Sequence, residues 1–286
     1  TNLAGTGNAL DFGLQTQAGT YTITAENTTT LCNSQMLGSA IITIEPLPTQ
    51  YNVTGGGAFC EDASGVSVGL SDSEIGINYE LLRDGNSVTN LAGTGNALDF
   101  GWQTQAGTYT VTAENTTTLC NSQMLGSAII TIEPLPTQYN VTGGGAFCED
   151  ASGVSVGLSD SEIGINYELL RDGNSVTNLA GTGNALDFGL QTQAGTYTIT
   201  AENSTTLCTS NMLGSANITI EPLPTLFNVT GGGAFCEGES GVSVGLSDSE
   251  IGINYELFRD GISVTTLAGT GNALDFGLQT QAGTYT

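Results

Sequence analysis

Apolar and polar residues alternate with a period of two along most of this chain. Leu98 and Phe100 alternate with Asp99 and Gly101, and Tyr109, Val111 and Ala113 alternate with Thr108, Thr110 and Thr112. Val66, Val68 and Leu70 form a third run, and Ile75, Ile77, Tyr79 and Leu81 mark one face of a longer one. This spacing puts the apolar side chains on one side of an extended backbone, so each run predicts a half-buried β-strand. Tyr51 to Thr54, Ala58 to Cys60, Ser87 to Thr89 and Ala128 to Ile132 read as shorter strands. Between them stand turn signals. Asp84-Gly85 accepts the positive φ of a type I′ hairpin bend, Gln105-Ala106-Gly107 breaks two strands apart, and Gly55-Gly56-Gly57 allows a kink or a change of sheet. No segment has a helical period.

The pattern returns every 88 residues. The stretch Ala97 to Asn115 recurs almost letter for letter at Ala9 to Asn27 and at Ala185 to Asn203, and begins again at Ala273. Self-similarity at a fixed period means an array of like units. Residues 1–50 are the back part of one unit, 51–138 and 139–226 are complete units, and 227–286 are the front part of another. The boundaries follow Pro46-Leu47-Pro48, Pro134-Leu135-Pro136 and Pro222-Leu223-Pro224, which hold all six prolines and predict stiff connectors. Seven or eight short strands in such a unit predict an all-β fold, a tandem of immunoglobulin-like β-sandwich domains. Gly-Thr-Tyr at 107–109 looks like the tyrosine corner of such sandwiches, an ordinary core tyrosine being the alternative.

The six cysteines keep the same places in the repeat: Cys32, Cys60, Cys120, Cys148, Cys208 and Cys236. No C-x-x-C pair and no histidine is present to build a zinc site. Cysteines locked to a small-domain repeat argue for disulfides and an oxidising, extracellular setting. The expected pairing is within a unit, Cys60 with Cys120 and Cys148 with Cys208, which leaves Cys32 and Cys236 without partners in this chain. The rival pairing, Cys32 with Cys60, crosses the proline connector and staples neighbouring units.

Charge removes whole classes of function. With 28 acidic residues against three basic ones, the net charge is −25, so nucleic-acid binding by phosphate neutralisation is excluded. No apolar run is long enough to span a bilayer as a helix, so membrane insertion is not expected. Without histidine, Ser-His-Asp and Cys-His catalysis cannot be assembled, and the chain is expected not to be an enzyme. Glu61, Asp62, Asp72 and Glu74 lie in loops and are the candidates for a calcium site, with solvated loop charge as the alternative. Otherwise no cofactor is expected.

Thr-Gly-Gly-Gly-Ala-Phe-Cys (54–60), Ile-Asn-Tyr-Glu-Leu-Leu-Arg-Asp-Gly (77–85) and Ala-Gly-Thr-Tyr-Thr-Val (106–111) resemble repeats of giant surface proteins of gliding Bacteroidota, exported by the type IX secretion system. The likeness covers the whole chain, is similar to SprB-type adhesin modules, and carries no catalytic motif. It implies a secreted, cell-surface adhesin stalk or extracellular filament that spans distance and bears load in attachment, gliding or prey capture. Identical chains bundled side by side are the expected partners, with the target cell reached through other parts. An array of glycan-binding modules is the alternative function.

Overall fold

The computed structural model describes all residues from Thr1 to Thr286 and contains strands and turns but no helix. The chain forms two compact units, Thr1–Leu135 and Pro136–Thr286, so their boundary falls inside the second proline connector.

In the first unit, residues 1–50 form four three-residue strands: β1 (Gly19–Tyr21), β2 (Thr24–Glu26), β3 (Asn33–Gln35) and β4 (Ala40–Ile42). β1 pairs with β4 and β2 with β3. The complete repeat follows with nine strands: β5 (Val53–Gly55), β6 (Gly57–Cys60), β7 (Val66–Leu70), β8 (Ile77–Arg83), β9 (Asn86–Ala92), β10 (Leu98–Gln103), β11 (Gly107–Asn115), β12 (Asn121–Gln123) and β13 (Ala128–Glu133). One sheet has the order β10-β7-β5 and the other β6-β13-β11-β8-β9, with β12 also on β11. All pairings are antiparallel except that β6 runs parallel to β13. The repeat is an immunoglobulin-like sandwich.

The alternation set out above decides what the two sheets enclose. Tyr109, Val111 and Ala113 from β11 meet Tyr79 and Leu81 from β8, Val68 and Leu70 from β7, and Leu98 and Phe100 from β10 in one buried cluster. Immunoglobulin domains of antibodies join their sheets here by a disulfide, its second cysteine two residues after the corner tyrosine. In this chain Val111 occupies that position and is fully buried. The core is apolar throughout, and the cysteines lie elsewhere.

The three glycines change sheet as expected. β5 belongs to one sheet and β6 to the other, and Gly55, Gly56 and Gly57 between them have φ of 86°, 78° and 131°. A Cβ on Gly55 would stand 2.1 Å from the Ser67 carbonyl oxygen, so the strand crosses against bare backbone. The Asp84-Gly85 bend has the two positive φ values of a type I′ turn, 50° and 81°.

Two details differ from the reading of the pattern. β10 and β11 are not neighbours in one sheet: the break at Gln105-Ala106-Gly107 carries the chain from one layer to the other. Ile75 does not extend the β8 face. It is 81% exposed in the turn before the strand, against the loop glycine Gly95, because its backbone bends away at Ile75-Gly76.

The second unit repeats the sandwich as β14 (Val141–Gly143), β15 (Gly145–Cys148), β16 (Val154–Leu158), β17 (Ile165–Arg171), β18 (Asn174–Ala180), β19 (Leu186–Gln191), β20 (Gly195–Asn203), β21 (Thr209–Asn211) and β22 (Ala216–Glu221). Its sheets are β14-β16-β19 and β15-β22-β20-β17-β18, with β21 on β20. β23 (Val229–Gly231), β24 (Val242–Leu246), β25 (Asn254–Arg259), β26 (Ile262–Ala268) and β27 (Leu274–Gln279) then form one three-stranded and one two-stranded sheet.

Candidate functional site: the two poles of the repeat

Each complete repeat receives the chain at one pole and releases it at the other. In the first, β11 runs from the C-terminal pole, where Gly107 faces Ile130, to the N-terminal pole, where Asn115 faces Ile77. β13 leaves past Gly107 and ends at Glu133, so the chain departs from the C-terminal pole.

The N-terminal pole grips the arriving chain. The Thr49 hydroxyl donates to Glu74 Oε1 at 2.6 Å and its amide to Oε2 at 3.2 Å. The Gln50 side-chain amide donates to the Gln123 carbonyl at 2.8 Å, and the Leu125 amide to the Tyr51 carbonyl at 2.8 Å. The loop bearing Glu74 is itself pinned, because its amide donates to the Tyr79 hydroxyl at 2.9 Å. Burial pushes the Tyr79 hydroxyl pKa up, and nearby Glu74 and Asp72 add to the effect. Ser73, buried, donates to the Asn96 carbonyl at 2.6 Å and accepts from the Thr94 amide at 3.0 Å, closing a second loop onto the first. On the far side, Asn115 Oδ1 accepts from the Thr117 and Thr118 amides at 2.9 and 3.1 Å, and the Asn115 amide donates to the Cys120 carbonyl at 2.9 Å. That turn fixes Cys120 at the N-terminal pole.

The C-terminal pole is built around the corner tyrosine. The Tyr109 hydroxyl donates to the Gln105 carbonyl at 2.9 Å, as Tyr197 does to Gln193 in the next repeat. Gly-Thr-Tyr therefore makes the corner bond. Asp84 Oδ1 accepts from the Thr108 amide at 2.9 Å and ties the type I′ turn to the start of β11. Cys60 ends β6 opposite Glu133, and the Glu61 amide donates to the Glu133 carbonyl at 3.0 Å.

This placement corrects the expected disulfides. Cys120 and Cys148 are free thiols, as are Cys32 and Cys236, whereas Cys60 and Cys208 are disulfide-bonded. Neither Cys60–Cys120 nor Cys148–Cys208 is closed. The cause is the sandwich itself. Cys60 and Cys120 lie at opposite poles, about eleven strand residues apart along β11, or roughly 36 Å. A disulfide needs Cα atoms within about 7 Å. The rival pairing of Cys32 with Cys60 is not closed either.

The calcium candidates are separated in the same way. Glu61 and Asp62 turn at the C-terminal pole, whereas Asp72 and Glu74 lie at the other, where Asn52 meets Ser71. Asp72 accepts from the Ser73 amide at 2.8 Å and Glu74 holds Thr49. No three acidic or thiol groups come together around a common point. The four carboxylates do not build one calcium site.

The grip on Thr49 escaped the pattern reading, although a signal was there. Thr49 and Glu74 recur as Thr137 with Glu162 and Thr225 with Glu250, always 25 residues apart, and all three pairs bond in the same way.

No protein-family profile and no curated protein matches the chain. Among solved structures it is similar to the N-terminal eight immunoglobulin domains of Down syndrome cell adhesion molecule, at 15% identity and a TM-score of 0.28 over 93% of this chain and 42% of that one. It is similar also to fibronectin(III)-like modules of Clostridium thermocellum CbhA, at 11% identity and a TM-score of 0.33 over 60% and 95% of the two chains. A third is the Bacteroides ovatus SGBP-B protein in complex with a mixed-linkage heptasaccharide, at 13% identity and a TM-score of 0.21 over 92% and 75%.

Proposed function

We propose that this chain is a structural repeat region of an extracellular adhesin or surface filament, whose work is to span distance and carry tension. The parallel pairing of β6 with β13 supports this reading most directly. Gly57 to Cys60 lie beside Ile130 to Glu133, and the chain arrives before β6 and departs after β13. Tension on the two connectors pulls these parallel strands in opposite directions along their length. Their ladder bonds are then strained together instead of opening one by one as in a hairpin pulled from its ends. The second repeat has the same pair, Gly145 to Cys148 beside Ile218 to Glu221.

The acidic charge and a disulfide fit a secreted role at a cell surface. The finer assignment is a type IX-exported protein of a gliding bacterium, acting in attachment, gliding or prey capture, and it rests on the repeat resemblance. The glycan-binding alternative needs aromatic side chains grouped on the surface. Trp102 is the one exposed aromatic, and the other copies have leucine at its position.

Single-molecule stretching tests the reading. Phe59→Pro and Phe147→Pro remove a ladder amide from each parallel pair, because the donors alternate with Glu61 and Glu149, whose amides bond the Glu133 and Glu221 carbonyls. The expected result is a clear fall in the unfolding force of both complete repeats. Equal forces in parent and variant would remove the mechanical role of this pair.

A further inference from the structure

We propose that residues 227–286 carry a binding site for a peptide C terminus, with the terminal carboxylate held by Arg259 and an aliphatic last side chain laid over Ile262 and Leu278. The site lies wholly within the second unit. It goes beyond the tension-carrying reading and stands without it. Its frame is the β25–β26 hairpin and the end of β27. Arg259, Ile262, Val264, Leu278, Gln281 and Tyr285 line a cleft of about 280 Å³ there. That volume is at the small end for ligand clefts, so it takes one residue-sized group.

The cation is the first argument. Arg259 is one of three basic residues against 28 acidic ones, yet its guanidinium makes no ion pair and no hydrogen bond within the chain. The carboxylates of its own hairpin are engaged elsewhere. Asp260 Oδ1 accepts from the Thr284 amide at 2.9 Å, and Glu256 accepts from the Ser263 hydroxyl. The arginine stem lies across Gly283, where a Cβ would stand 2.7 Å from Arg259 Cγ and 2.9 Å from Cδ. The Tyr285 hydroxyl donates to the Gln281 carbonyl at 2.8 Å and fixes that part of the lining. A half-buried guanidinium with its donors unused, set in the wall of a cleft, matches the two oxygens of a carboxylate. At about 0.15 M salt, charges beyond roughly 8 Å are screened, so contact with Arg259 outweighs the more distant acidic residues.

The apolar part of the site is marked by a difference between copies. At the position of Ile262 the two complete repeats have Asn86 and Asn174, whose side-chain amides donate to the Asp84 and Asp172 carbonyls at 3.3 Å. Isoleucine gives up that bond and reaches no core. Ile262 is 66% exposed and lines the cleft with Val264 and Leu278, which are exposed too. An aliphatic ligand side chain takes this surface out of water. The outer edge of β26 is the third argument. β26 pairs with β25 alone, so its other edge has backbone donors and acceptors for an extended peptide. A simple fatty acid would leave those groups unmatched, which favours the peptide.

The test is fluorescence anisotropy of the full chain, at about 0.15 M salt, with labelled hexapeptides that end in valine, leucine or isoleucine and a free carboxylate. Saturable binding of at least one of them, one peptide per chain, is the expected result. The amidated form of that peptide should bind about tenfold more weakly or worse, as should the free-carboxylate peptide to Arg259→Gln. Ile262→Asn should weaken binding severalfold, and it installs the residue with which both complete repeats already fold. Arg83→Gln with Arg171→Gln should leave binding unchanged. No binding by any of the peptides, equal binding of the amide, or full affinity in Arg259→Gln or Ile262→Asn would overturn the site. Hexanoate competing as strongly as the unlabelled peptide would overturn the peptide assignment.

Discussion

A single hydroxyl closes the corner of each sandwich. Tyr109 and Tyr197 are almost fully buried, and each spends its hydroxyl on a carbonyl four residues back. Phenylalanine would keep the buried ring and lose only that bond, so Tyr109→Phe with Tyr197→Phe should cost about 1 kcal/mol per repeat. Urea unfolding of the double variant checks this, and an unchanged midpoint would mean the corner bond contributes nothing. Asp187 acts at the same scale. The Gly189 amide and the Ser155 hydroxyl both donate to its carboxylate, at 2.8 Å each, and hold its pKa below the usual carboxylate value. The unfolded chain therefore takes up this proton first as pH falls. The stability it contributes is complete above the unfolded value of about 3.9 and is lost on acidification through the lower folded value. Asp187→Asn should flatten the loss of stability as pH falls below about 4, measured by thermal unfolding at descending pH. An identical slope in parent and variant would count against the Asp187 contribution.

At the scale of elements, the three-glycine crossover and the type I′ turn follow from local chemistry. Only glycine accepts the backbone of Gly55 and the approach of the Ser67 carbonyl together. Gly55→Ala should therefore destabilise its repeat by about 2 kcal/mol or more through strain and clash, whereas Gly85→Ala, with open space around it, should cost less. Comparing the two midpoints separates backbone preference from crowding, and equal losses would mean crowding at Gly55 has no effect. Other elements depend on their neighbours. The sequence of β10 recurs almost unchanged at Leu10 to Gln15, yet those residues form no strand. Strand β10 is hydrogen-bonded to β7, and residues 1–50 contain no counterpart of β7. Leu10 is accordingly 41% exposed where Leu98 is 8%. Gly233 to Cys236 likewise form no strand, whereas Gly57 to Cys60, the same letters, pair with β13.

At the scale of the whole molecule, the repeat is a link with distinct ends. The chain arrives at one pole and departs at the other, and each sheet has two edge strands, β5 and β10 in one and β6 and β9 in the other. β9 is exposed along most of its length, with Val88 presented to solvent. Edges of this kind pair with other chains unless charge or geometry prevents it. We propose side-by-side association of identical chains, with calcium easing the repulsion between chains of net charge −25. Light scattering behind size-exclusion chromatography, with and without calcium, should give a defined oligomer. A monomer under both conditions would mean that the chain works as a single stalk and that adhesion lies elsewhere.

What the sequence determined by itself was everything set by local geometry and repetition. A period of two names the buried faces, as Tyr79, Leu81, Tyr109 and Val111 confirm. Asp84-Gly85 names its turn. Only the tertiary structure decided which strands share a sheet, because β10 and β11 adjoin in sequence but lie in opposite layers. It also decided the chemistry of the cysteines and carboxylates. Spacing along the chain placed Cys60 and Cys120 in one repeat, but a sandwich sends a strand the full length of the domain, and the two thiols end at opposite poles. Distance across a fold depends on the direction of each strand, and the alternation of side chains carries no record of direction.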